Sequence, residues 1–243
     1  MRGRPCFLWG AANVVCPLCY SYLYLGTYMP DKPIALEDRK TDAQRLFSPS
    51  AARNRDPILD VLNLVLPASG AALEIASGTG EHIVHFAKRL PGWTFQPTEF
   101  DEASRQSVMA WIAHEGLTNV APPVTLDAAK DVWSVESKAP FDAVLSLNMI
   151  HIAPWAAARG LFAGAGRVLR IDGVLFLYGP FKEAGEHNAP SNAAFDESLR
   201  ARNPDWGVRD VVDLRKLADG AGLRLRTRHA MPANNQALVF VKT

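Results

Sequence analysis

Short apolar segments alternate with helix-like segments along most of this 243-residue sequence, and this alternation restricts its fold more than any other feature. The apolar runs are typical of strands buried on both faces, and between them apolar residues recur three or four positions apart. Asp56 as a cap and Pro57 as the first helical residue predict a helix that ends before Pro67. Pro122 and Pro123 are expected to weaken the third strand. We predict strands at 71–76, 93–98, 120–126, 141–147, 174–178, 223–229 and 236–241, and further helices after Gly80, at Asp101, and over 154–170, 193–202 and 210–218.

Alternating strands and helices predict an α/β fold, in which helices cover a parallel sheet on both faces. Hydrophobic residues make up 48% of the chain and charged residues 21%, which excludes a collagen-like chain, a disulfide scaffold and wholesale disorder. The formal net charge of +1 gives no basic excess that would favour nucleic acid. Ligands of such a sheet bind beyond the carboxyl ends of the strands, so residues that directly follow the strands are the candidates for function.

Residues 1–28 differ from the rest of the chain, because they hold all three cysteines and four of the five tyrosines. No charged residue occurs between Arg4 and Asp31. Three interpretations stay open: an unstructured leader, a signal or anchor segment, and a gene-model extension before a start at Met29. We predict a single domain over 41–243 and a cytoplasmic protein without membrane association of this domain, with export or anchoring by the leader as the alternative.

Two residue pairs have spacings that metal or redox sites also use. Cys16 and Cys19 form a C-x-x-C pair, but the surrounding pattern of a thioredoxin-like or zinc site is missing. His82 and His85 lie three residues apart on a predicted helix, and no third ligand is evident. We therefore predict no metal site.

A glycine-containing turn follows the first predicted strand, in the order Glu74-Ile75-Ala76-Ser77-Gly78-Thr79-Gly80. Two glycines let the backbone turn tightly and let a ligand approach the main chain, and the next helix presents its N–H groups to that ligand. The dinucleotide pattern G-x-G-x-x-G is incomplete, because Ile83 stands at its third glycine. The spacing acid-x-small-x-Gly-x-Gly fits instead, although a structural turn alone is the simpler alternative.

Acidic residues follow the next two predicted strands. Glu99 comes directly after the second strand, where a carboxylate can accept both hydroxyl groups of a ribose. Asp127 follows the third strand and can accept from an exocyclic amino group. Each acid alone could be a helix cap or a solvated loop residue, but acids after three successive strands beside a glycine turn favour an adenosine-binding edge.

Three motifs resemble those of one family. Segment 46–58 reads LFSPSAARNRDPI, segment 73–82 reads LEIASGTGEH and segment 146–152 reads SLNMIHI. In these motifs the chain resembles the methyltransferase-like 26 family, within the class I S-adenosylmethionine-dependent methyltransferases. The resemblance covers about residues 41–243. Ala76 departs from the broad class, where glycine is usual, and this puts the shape of the turn in slight doubt.

The resemblance implies a Rossmann-like sheet of seven mostly parallel strands, with helices on both faces and a C-terminal antiparallel hairpin. It implies methyl transfer from S-adenosylmethionine to an acceptor that we expect to be a small molecule. Glu74 would orient the ammonium group of the cofactor, Glu99 would hold the ribose and Asp127 the adenine amino group. The full set expected to bind the cofactor is Glu74, Ala76, Ser77, Gly78, Gly80, His82, Glu99, Phe100, Asp127, Ala128 and Asn148.

Candidates for the catalytic and acceptor-side residues come from four segments. Asn148 and His151 follow the fourth strand, where Asn148 could contact the nucleophile and His151 could remove its proton near neutral pH. The alternative for His151 is a histidine packed under the next helix with its ring bonded to backbone. Arg53 and Asn54 lie in segment 47–55 before the first predicted helix and, as part of a lid, could contact an anionic substrate; a capped lead-in to that helix is the alternative. Tyr178 and Asn234 complete the acceptor-side set.

Two other functions stay open. Tyr178 and Lys182 show the Y-x-x-x-K spacing of short-chain dehydrogenases, which bind NAD(P), but Gly179-Pro180 between them predicts a loop rather than one helical turn. A methyltransferase-shaped subunit that binds the cofactor without turnover is the second alternative. Nothing in the sequence excludes the second.

Overall fold

The structure, a computed structural model, describes residues 39–243. The predictions for residues 1–28, including the Cys16–Cys19 pair, lie outside the described residues. The strands are β1 (Lys40–Asp42), β2 (Arg45–Phe47), β3 (Gly70–Ile75), β4 (Trp93–Thr98), β5 (Phe141–Leu147), β6 (Leu169–Gly179), β7 (Phe181–Glu183), β8 (Glu186–His187), β9 (Arg209–Asp210), β10 (Leu223–Ala230) and β11 (Gln236–Lys242). The helices are α1 (Pro49–Val65), α2 (Glu81–Arg89), α3 (Glu102–Glu115), α4 (Trp155–Val168), α5 (Pro190–Arg202) and α6 (Val211–Gly220), with short 3-10 turns at Glu136–Lys138, Met149–His151 and Pro232–Asn234.

The main sheet has the order β10-β11-β6-β5-β3-β4 within the described residues. The pairs β3–β4, β3–β5 and β5–β6 are parallel, and β11 pairs antiparallel with both β6 and β10. This confirms the predicted α/β fold with a mostly parallel sheet and an antiparallel hairpin at the end. The carboxyl ends of β3, β4 and β5 therefore lie together at one edge of the sheet.

The third predicted strand, at 120–126, forms only two isolated parallel bridges, Phe95 with Val120 and Thr98 with Val124. Pro122 and Pro123 lie between these bridges and carry no N–H group, so the ladder cannot continue across them. The segment nevertheless runs beside β4 and brings Asp127 to the same edge of the sheet.

The first helix begins earlier than predicted. Ser48 caps it, because its Oγ accepts the N–H of Ala51 at 3.1 Å, and Pro49 is the first helical residue. Pro57 lies inside the helix, and Asp56 is a helical residue whose carboxylate pairs with His85. The prediction that the helix starts at Pro57 was wrong, because Pro49 is an earlier proline that also suits the first helical position.

Apolar side chains cover both faces of the sheet. Leu73 and Ile75 pack into a cluster with α4 and α6, and Ala72, directly before Leu73 in the strand, packs on the opposite face with α1, α2 and α3. Each fully buried large side chain, such as Phe86 or Phe162, contributes about 1.5–3 kcal/mol to folding. Two layers of helices thus hold the strand ends in fixed positions.

The polar stretch 179–191 was expected to interrupt the alternation, and it contains β7 and β8. These strands form a small sheet with β9 in the order β8-β7-β9. The strand before it, β6, starts at Leu169 rather than at residue 174, because Asp172 adopts a left-handed φ of 63° and lets the strand continue through an irregularity. No helix within residues 39–243 is long and apolar enough to cross a membrane.

Candidate cofactor and acceptor site

The turn at residues 76–80, here called the glycine turn, joins β3 to α2. Gly78 and Gly80 adopt left-handed φ values of 57° and 90°, a region that glycine enters without steric cost. A Cβ on Gly80 would lie 2.9 Å from the Cα of Val108, so only glycine lets α2 and α3 approach this closely. A Cβ on Gly78 would meet nothing within 4 Å, which leaves open space in front of the turn.

Ala76 has a left-handed φ of 59°. The turn therefore keeps the conformation that glycine would give, and the methyl group makes it strained rather than different in shape. An L-residue in this region costs roughly 1–2 kcal/mol. The departure from the usual glycine affects stability and leaves the loop intact.

Glu99 links the ends of β3 and β4. Its Oε2 accepts the N–H of Gly78 at 2.8 Å, and its Oε1 accepts the N–H groups of Phe100 and Asp101 at 2.8 and 3.1 Å. A carboxylate has about four acceptor positions, so one remains available on Oε2. The half-buried carboxylate thus faces the glycine turn, and the ring of Phe100 beside it is 57% exposed.

Glu74 is buried, with 1% of its surface exposed, near the end of β3. Its Oε2 has no hydrogen-bond partner among the described residues. Burial raises the pKa of Glu74 to about 7, against the opposing effect of the Ser77 side chain and with a smaller contribution from the charge of Glu99. An unpartnered buried carboxylate oxygen is unfavourable, and a ligand cation would relieve it.

The third strand end is less informative. Asp127 is half-buried, and its Oδ1 accepts the N–H of Ala129 at 2.9 Å, so the carboxylate stabilises its own loop. Ala128 is buried beside it. A loop-stabilising role is compatible with a further bond from the second carboxylate oxygen, and the role of Asp127 toward adenine stays a prediction.

Four side chains from distant segments, here called the acceptor network, meet at the end of β6: Asn54, His82, Tyr178 and Asn235. Nε2 of His82 and Oδ1 of Asn54 are 2.6 Å apart, and Nδ2 of Asn235 donates to the Tyr178 hydroxyl at 3.0 Å. Asn54 also lies close enough to this hydroxyl to lower its pKa. The network therefore connects α1, the start of α2 and the loop before β11.

Burial sets the charge state of two members of the acceptor network. It lowers the pKa of His82 to about 4, assisted by the nearby His85 and Arg55, so the ring is neutral at pH 7. It raises the pKa of Tyr178, against the opposing effects of the two asparagines and Arg53, so the phenol keeps its proton. A neutral His82 next to a carbonyl oxygen carries its proton on Nε2.

The predicted Asn234 does not contact Tyr178. Its Nδ2 donates to Oγ of Ser191 at 3.1 Å, and its carbonyl accepts from Nδ2 of Asn192 at 2.9 Å, so it stabilises the start of α5. Its neighbour Asn235 makes the contact instead. Asn234 has a left-handed φ of 58°, which turns the chain at this point, and the sequence gives no sign of which asparagine faces the sheet.

Asn148 and His151 meet at Gly179, the last residue of β6. A Cβ on Gly179 would lie 2.5 Å from Nε2 of His151 and 3.2 Å from Oδ1 of Asn148. Asn148 has a left-handed φ of 61° and donates its N–H to the carbonyl of Tyr178 at 2.8 Å. The structure thus brings the two predicted catalytic residues together, beside the acceptor network.

The surroundings of His151 match the alternative in which its ring is packed and bonded to backbone. It is 1% exposed, and its Nδ1 accepts the N–H of Arg209 at 3.4 Å. Burial lowers its pKa to about 3, with the charge of Arg209 as the second cause. The ring is neutral at pH 7 with its proton on Nε2, which has no partner among the described residues. A neutral donor is therefore available, and proton removal by His151 stays a prediction that this burial does not favour.

Sequence reasoning missed Glu81. This residue is 4% exposed in the first turn of α2, and one of its carboxylate oxygens accepts the N–H of Ser48 at 2.5 Å and the hydroxyl of Thr79 at 3.1 Å. Oγ of Ser107 adds a second link, because it accepts the N–H of Leu46 at 2.8 Å and donates to the carbonyl of Thr79 at 2.7 Å. The segment before α1 is therefore attached to the glycine turn, and an acid directly after Gly80 was the available signal.

The structure does not support the dehydrogenase-like arrangement of Tyr178 and Lys182, and it pairs His85 with a carboxylate. Tyr178 lies in β6 and Lys182 in β7, so they do not share the helical turn that the dehydrogenase arrangement needs. Nε2 of His85 lies 2.9 Å from the carboxylate of Asp56. Within residues 39–243 no group of three or more His, Cys, Asp or Glu side chains could hold a metal ion.

The order of the sheet and the turn after β3 define the class I methyltransferase fold, and similar solved structures agree. An O-methyltransferase family protein from Burkholderia thailandensis matches with a TM-score of 0.68 and 15% identity, over 80% of this chain and 57% of its own. The methyltransferase of calicheamicin biosynthesis in its S-adenosylhomocysteine-bound form matches at 0.62 and 17%, over 80% and 54%. Human N-acetylserotonin methyltransferase in complex with S-adenosylmethionine matches at 0.63 and 12%, over 79% and 52%.

The chain therefore spans little more than half the length of these neighbours. The family is defined more directly. Residues 45–242 match the family model DUF938, described as a protein of unknown function, and the chain belongs to this family. At these low identities the neighbours establish the fold alone, so the activity has to be argued from the site.

Proposed function

We propose that this protein transfers a methyl group from S-adenosylmethionine to a small molecule. The observation that carries the proposal is Glu74, a buried carboxylate with an unpartnered oxygen next to a glycine turn that has open space in front of Gly78. A ligand with an ammonium group and a bulky adenosyl part suits both features. The calicheamicin and human N-acetylserotonin methyltransferases, whose structures contain S-adenosylhomocysteine and S-adenosylmethionine, support the same choice.

The residues present fit the cofactor. The Glu74 carboxylate would bind its ammonium group, and the remaining acceptor position of Glu99 would bind the ribose. The N–H groups at the start of α2 favour its carboxylate, since a helix N-terminus attracts negative charge. Phe100 and Asp127 would line the adenine side. The cofactor supplies a methyl group on a sulfonium sulfur, which makes that carbon open to attack by a nucleophilic atom.

The protein's own part is positioning, because in-line displacement at an activated carbon needs no protein nucleophile. Asn148 Oδ1 and His151 Nε2 are the polar atoms closest to Gly179 in this part of the site. With a pKa of about 3 and its proton on Nε2, His151 orients the acceptor as a donor rather than as a base. This arrangement suits an acceptor atom that is already ionised or has a free lone pair.

The same proposal includes the narrower family, the extent of the domain, its location and the class of acceptor. The motifs at 46–58, 73–82 and 146–152 support membership of the methyltransferase-like 26 family. We further propose that residues 41–243 act as one domain in the cytoplasm, and that the acceptor is a small molecule and no nucleic acid.

Methyl transfer from labelled S-adenosylmethionine to a fractionated metabolite extract tests the activity. Wild-type protein should label at least one small molecule, and Glu99→Ala should label it more slowly at equal cofactor concentration. A protein that binds S-adenosylhomocysteine but labels nothing from any extract is a binding subunit, and that result would refute the catalytic part of the proposal.

A further inference from the structure

Residues 45–48, here called the arm, pack on α3 before the chain enters α1. Nε1 of Trp111, in α3, donates to the carbonyl of Leu46 at 3.0 Å, and the rings of Phe47 and Trp111 meet edge to face with their centres 4.9 Å apart. The guanidinium of Arg45 lies 4.9 Å from the centre of the same indole. The arm therefore docks on one aromatic side chain of α3.

Two N–H groups of the arm bond to buried side chains outside it. The N–H of Leu46 donates to Oγ of Ser107, in α3, at 2.8 Å. The N–H of Ser48 donates to Oε2 of Glu81, in the first turn of α2, at 2.5 Å. Both acceptors are shielded from water, so the loss of either bond costs more than it would at the surface.

The same two side chains also bond to Thr79 in the glycine turn. Oγ of Ser107 donates to the carbonyl of Thr79 at 2.7 Å, and the hydroxyl of Thr79 donates to Oε2 of Glu81 at 3.1 Å. Thr79 is buried between the two glycines of the turn. The hydrogen bonds therefore form one continuous path through Leu46, Ser107, Thr79, Glu81 and Ser48.

The glycine turn needs such restraints from its neighbours. Gly78 and Gly80 flank Thr79, and glycine permits many backbone conformations that folding has to exclude. The arm fixes the groups that supply the restraints. Because Oγ of Ser107 accepts from the N–H of the arm, its single hydrogen is directed to the Thr79 carbonyl. Docking of the arm and the shape of the turn therefore depend on the same side chains.

We propose that Glu81 and Ser107 are positioning residues for the cofactor, because they couple docking of the arm to the shape of the glycine turn. Cofactor binding at the turn and docking of the arm then stabilise each other, since a coupling between two sites is reciprocal. Neither side chain has to touch the cofactor for this effect. The role in methyl transfer rests on the proposed function, whereas the coupling itself exists in the ligand-free protein and can be tested there.

Amide hydrogen exchange of the ligand-free full chain, followed by NMR, tests the coupling. Ser107→Ala should speed exchange at Ser48, whose own partner Glu81 is untouched, and Glu81→Ala should speed exchange at Leu46, whose partner Ser107 is untouched. We expect an increase of about threefold to tenfold in each case, the effect of one lost hydrogen bond. Gln106→Ala, at the exposed position beside Ser107, is the matched control and should leave both rates unchanged.

Exchange in the buried strand β11 should stay unchanged in both alanine variants, which separates local release of the arm from global unfolding. The inference is overturned if each substitution speeds exchange only at the amide that it contacts directly, or if β11 exchanges faster by the same factor as the arm.

Titration with S-adenosylhomocysteine tests the link to the cofactor. Wild type should gain protection from exchange at Leu46 and Ser48 on binding, and Ser107→Ala and Glu81→Ala should bind about threefold to tenfold more weakly. Glu81→Gln should bind nearly as wild type does, because an amide oxygen can still accept both hydrogen bonds. An equal loss in Glu81→Gln and Glu81→Ala would contradict positioning through these bonds.

Binding of S-adenosylhomocysteine without added protection of the arm, or full affinity in both alanine variants, would also contradict the coupling to the cofactor. If wild type does not bind S-adenosylhomocysteine at all, the proposed function fails instead. The exchange rates of the ligand-free variants then still decide whether the arm and the glycine turn are coupled.

Discussion

The proposed cofactor side and the proposed acceptor side of the site are built in different ways. Glu74, Gly78 and Glu99 come from one stretch of the chain, and each lies at or just past the end of a parallel strand. Asn54, Tyr178 and Asn235 come from a helix, a strand and a loop that are far apart in sequence. The first set follows from the strand–turn–helix pattern, whereas the second exists only when the whole domain has folded.

The two sides also differ in what they leave unsatisfied. On the cofactor side an acceptor lacks a donor, since Oε2 of Glu74 has no partner among the described residues. On the acceptor side the unpaired group is a donor, Nε2 of the neutral His151, which has no partner among the described residues. Ligands of opposite character, a cation and an electron-rich oxygen, are the expected complements.

The largest expected effect concerns the stability of the ligand-free protein. Because burial raises the pKa of Glu74 from 4.5 to about 7, the free energy of unfolding should fall by about 3 kcal/mol as pH rises from below 4.5 to above 7. Glu74→Gln should lose this component and be more stable than wild type at pH 8. Urea unfolding at several pH values measures it, with the exposed Glu197→Gln as control. Identical pH profiles for wild type and Glu74→Gln would contradict it.

The next effect is on cofactor affinity. Glu99→Ala should weaken S-adenosylhomocysteine binding by about 1–3 kcal/mol, the cost of hydrogen bonds to a charged group. The loss should also loosen the glycine turn, because the N–H of Gly78 would lose its acceptor. Calorimetry measures it, and the nearby exposed Glu102→Ala should bind as wild type does. An unchanged dissociation constant for Glu99→Ala would count against the whole cofactor side.

The same affinity should depend on pH through Glu74. Its carboxylate must be ionised to bind an ammonium group, so binding should weaken as pH falls through its pKa of about 7. Titrations of wild type between pH 6 and 8 should show this trend, and Glu74→Gln should bind weakly with a flat profile. If the affinity of wild type is as independent of pH as that of the variant, Glu74 does not bind the ammonium group of the ligand.

A smaller effect concerns the strained turn. Ala76→Gly should raise the free energy of unfolding by about 1 kcal/mol, because glycine adopts the observed φ of 59° without strain. Ala113→Gly, in helix α3, should have the opposite sign and a similar size. Thermal unfolding of the two variants measures both. A destabilised Ala76→Gly would mean that the methyl group contributes packing that outweighs the strain.

The smallest expected effect distinguishes the cofactor side of the site from the acceptor side. His151→Gln should leave S-adenosylhomocysteine affinity unchanged, because His151 lies at Gly179 rather than at the glycine turn, and it should slow methyl transfer. Calorimetry and label transfer on one sample measure the two quantities. Normal turnover would remove His151 from the mechanism, and weaker cofactor binding would place it on the cofactor side.

Much of the fold was predictable, because burial on both faces leaves segment 174–178 of β6 as a continuous apolar run and 141–147 as a mostly apolar one. The start of α1 was not, since Pro49 and Pro57 both suit a first helical position and only the Ser48 cap decides between them. Glu99 was predictable as a position after a strand. Asn235 was not, because the choice between two adjacent asparagines depends on the left-handed turn at Asn234.

Calorimetric titration of the full chain with S-adenosylhomocysteine, and separately with NADPH, decides whether this edge of the sheet binds the methyl-donor cofactor. We expect saturable binding of one S-adenosylhomocysteine per chain and no binding of NADPH. Heat from NADPH alone, or from neither ligand at concentrations that saturate known methyltransferases, would contradict an adenosyl-sulfonium site at this edge of the sheet.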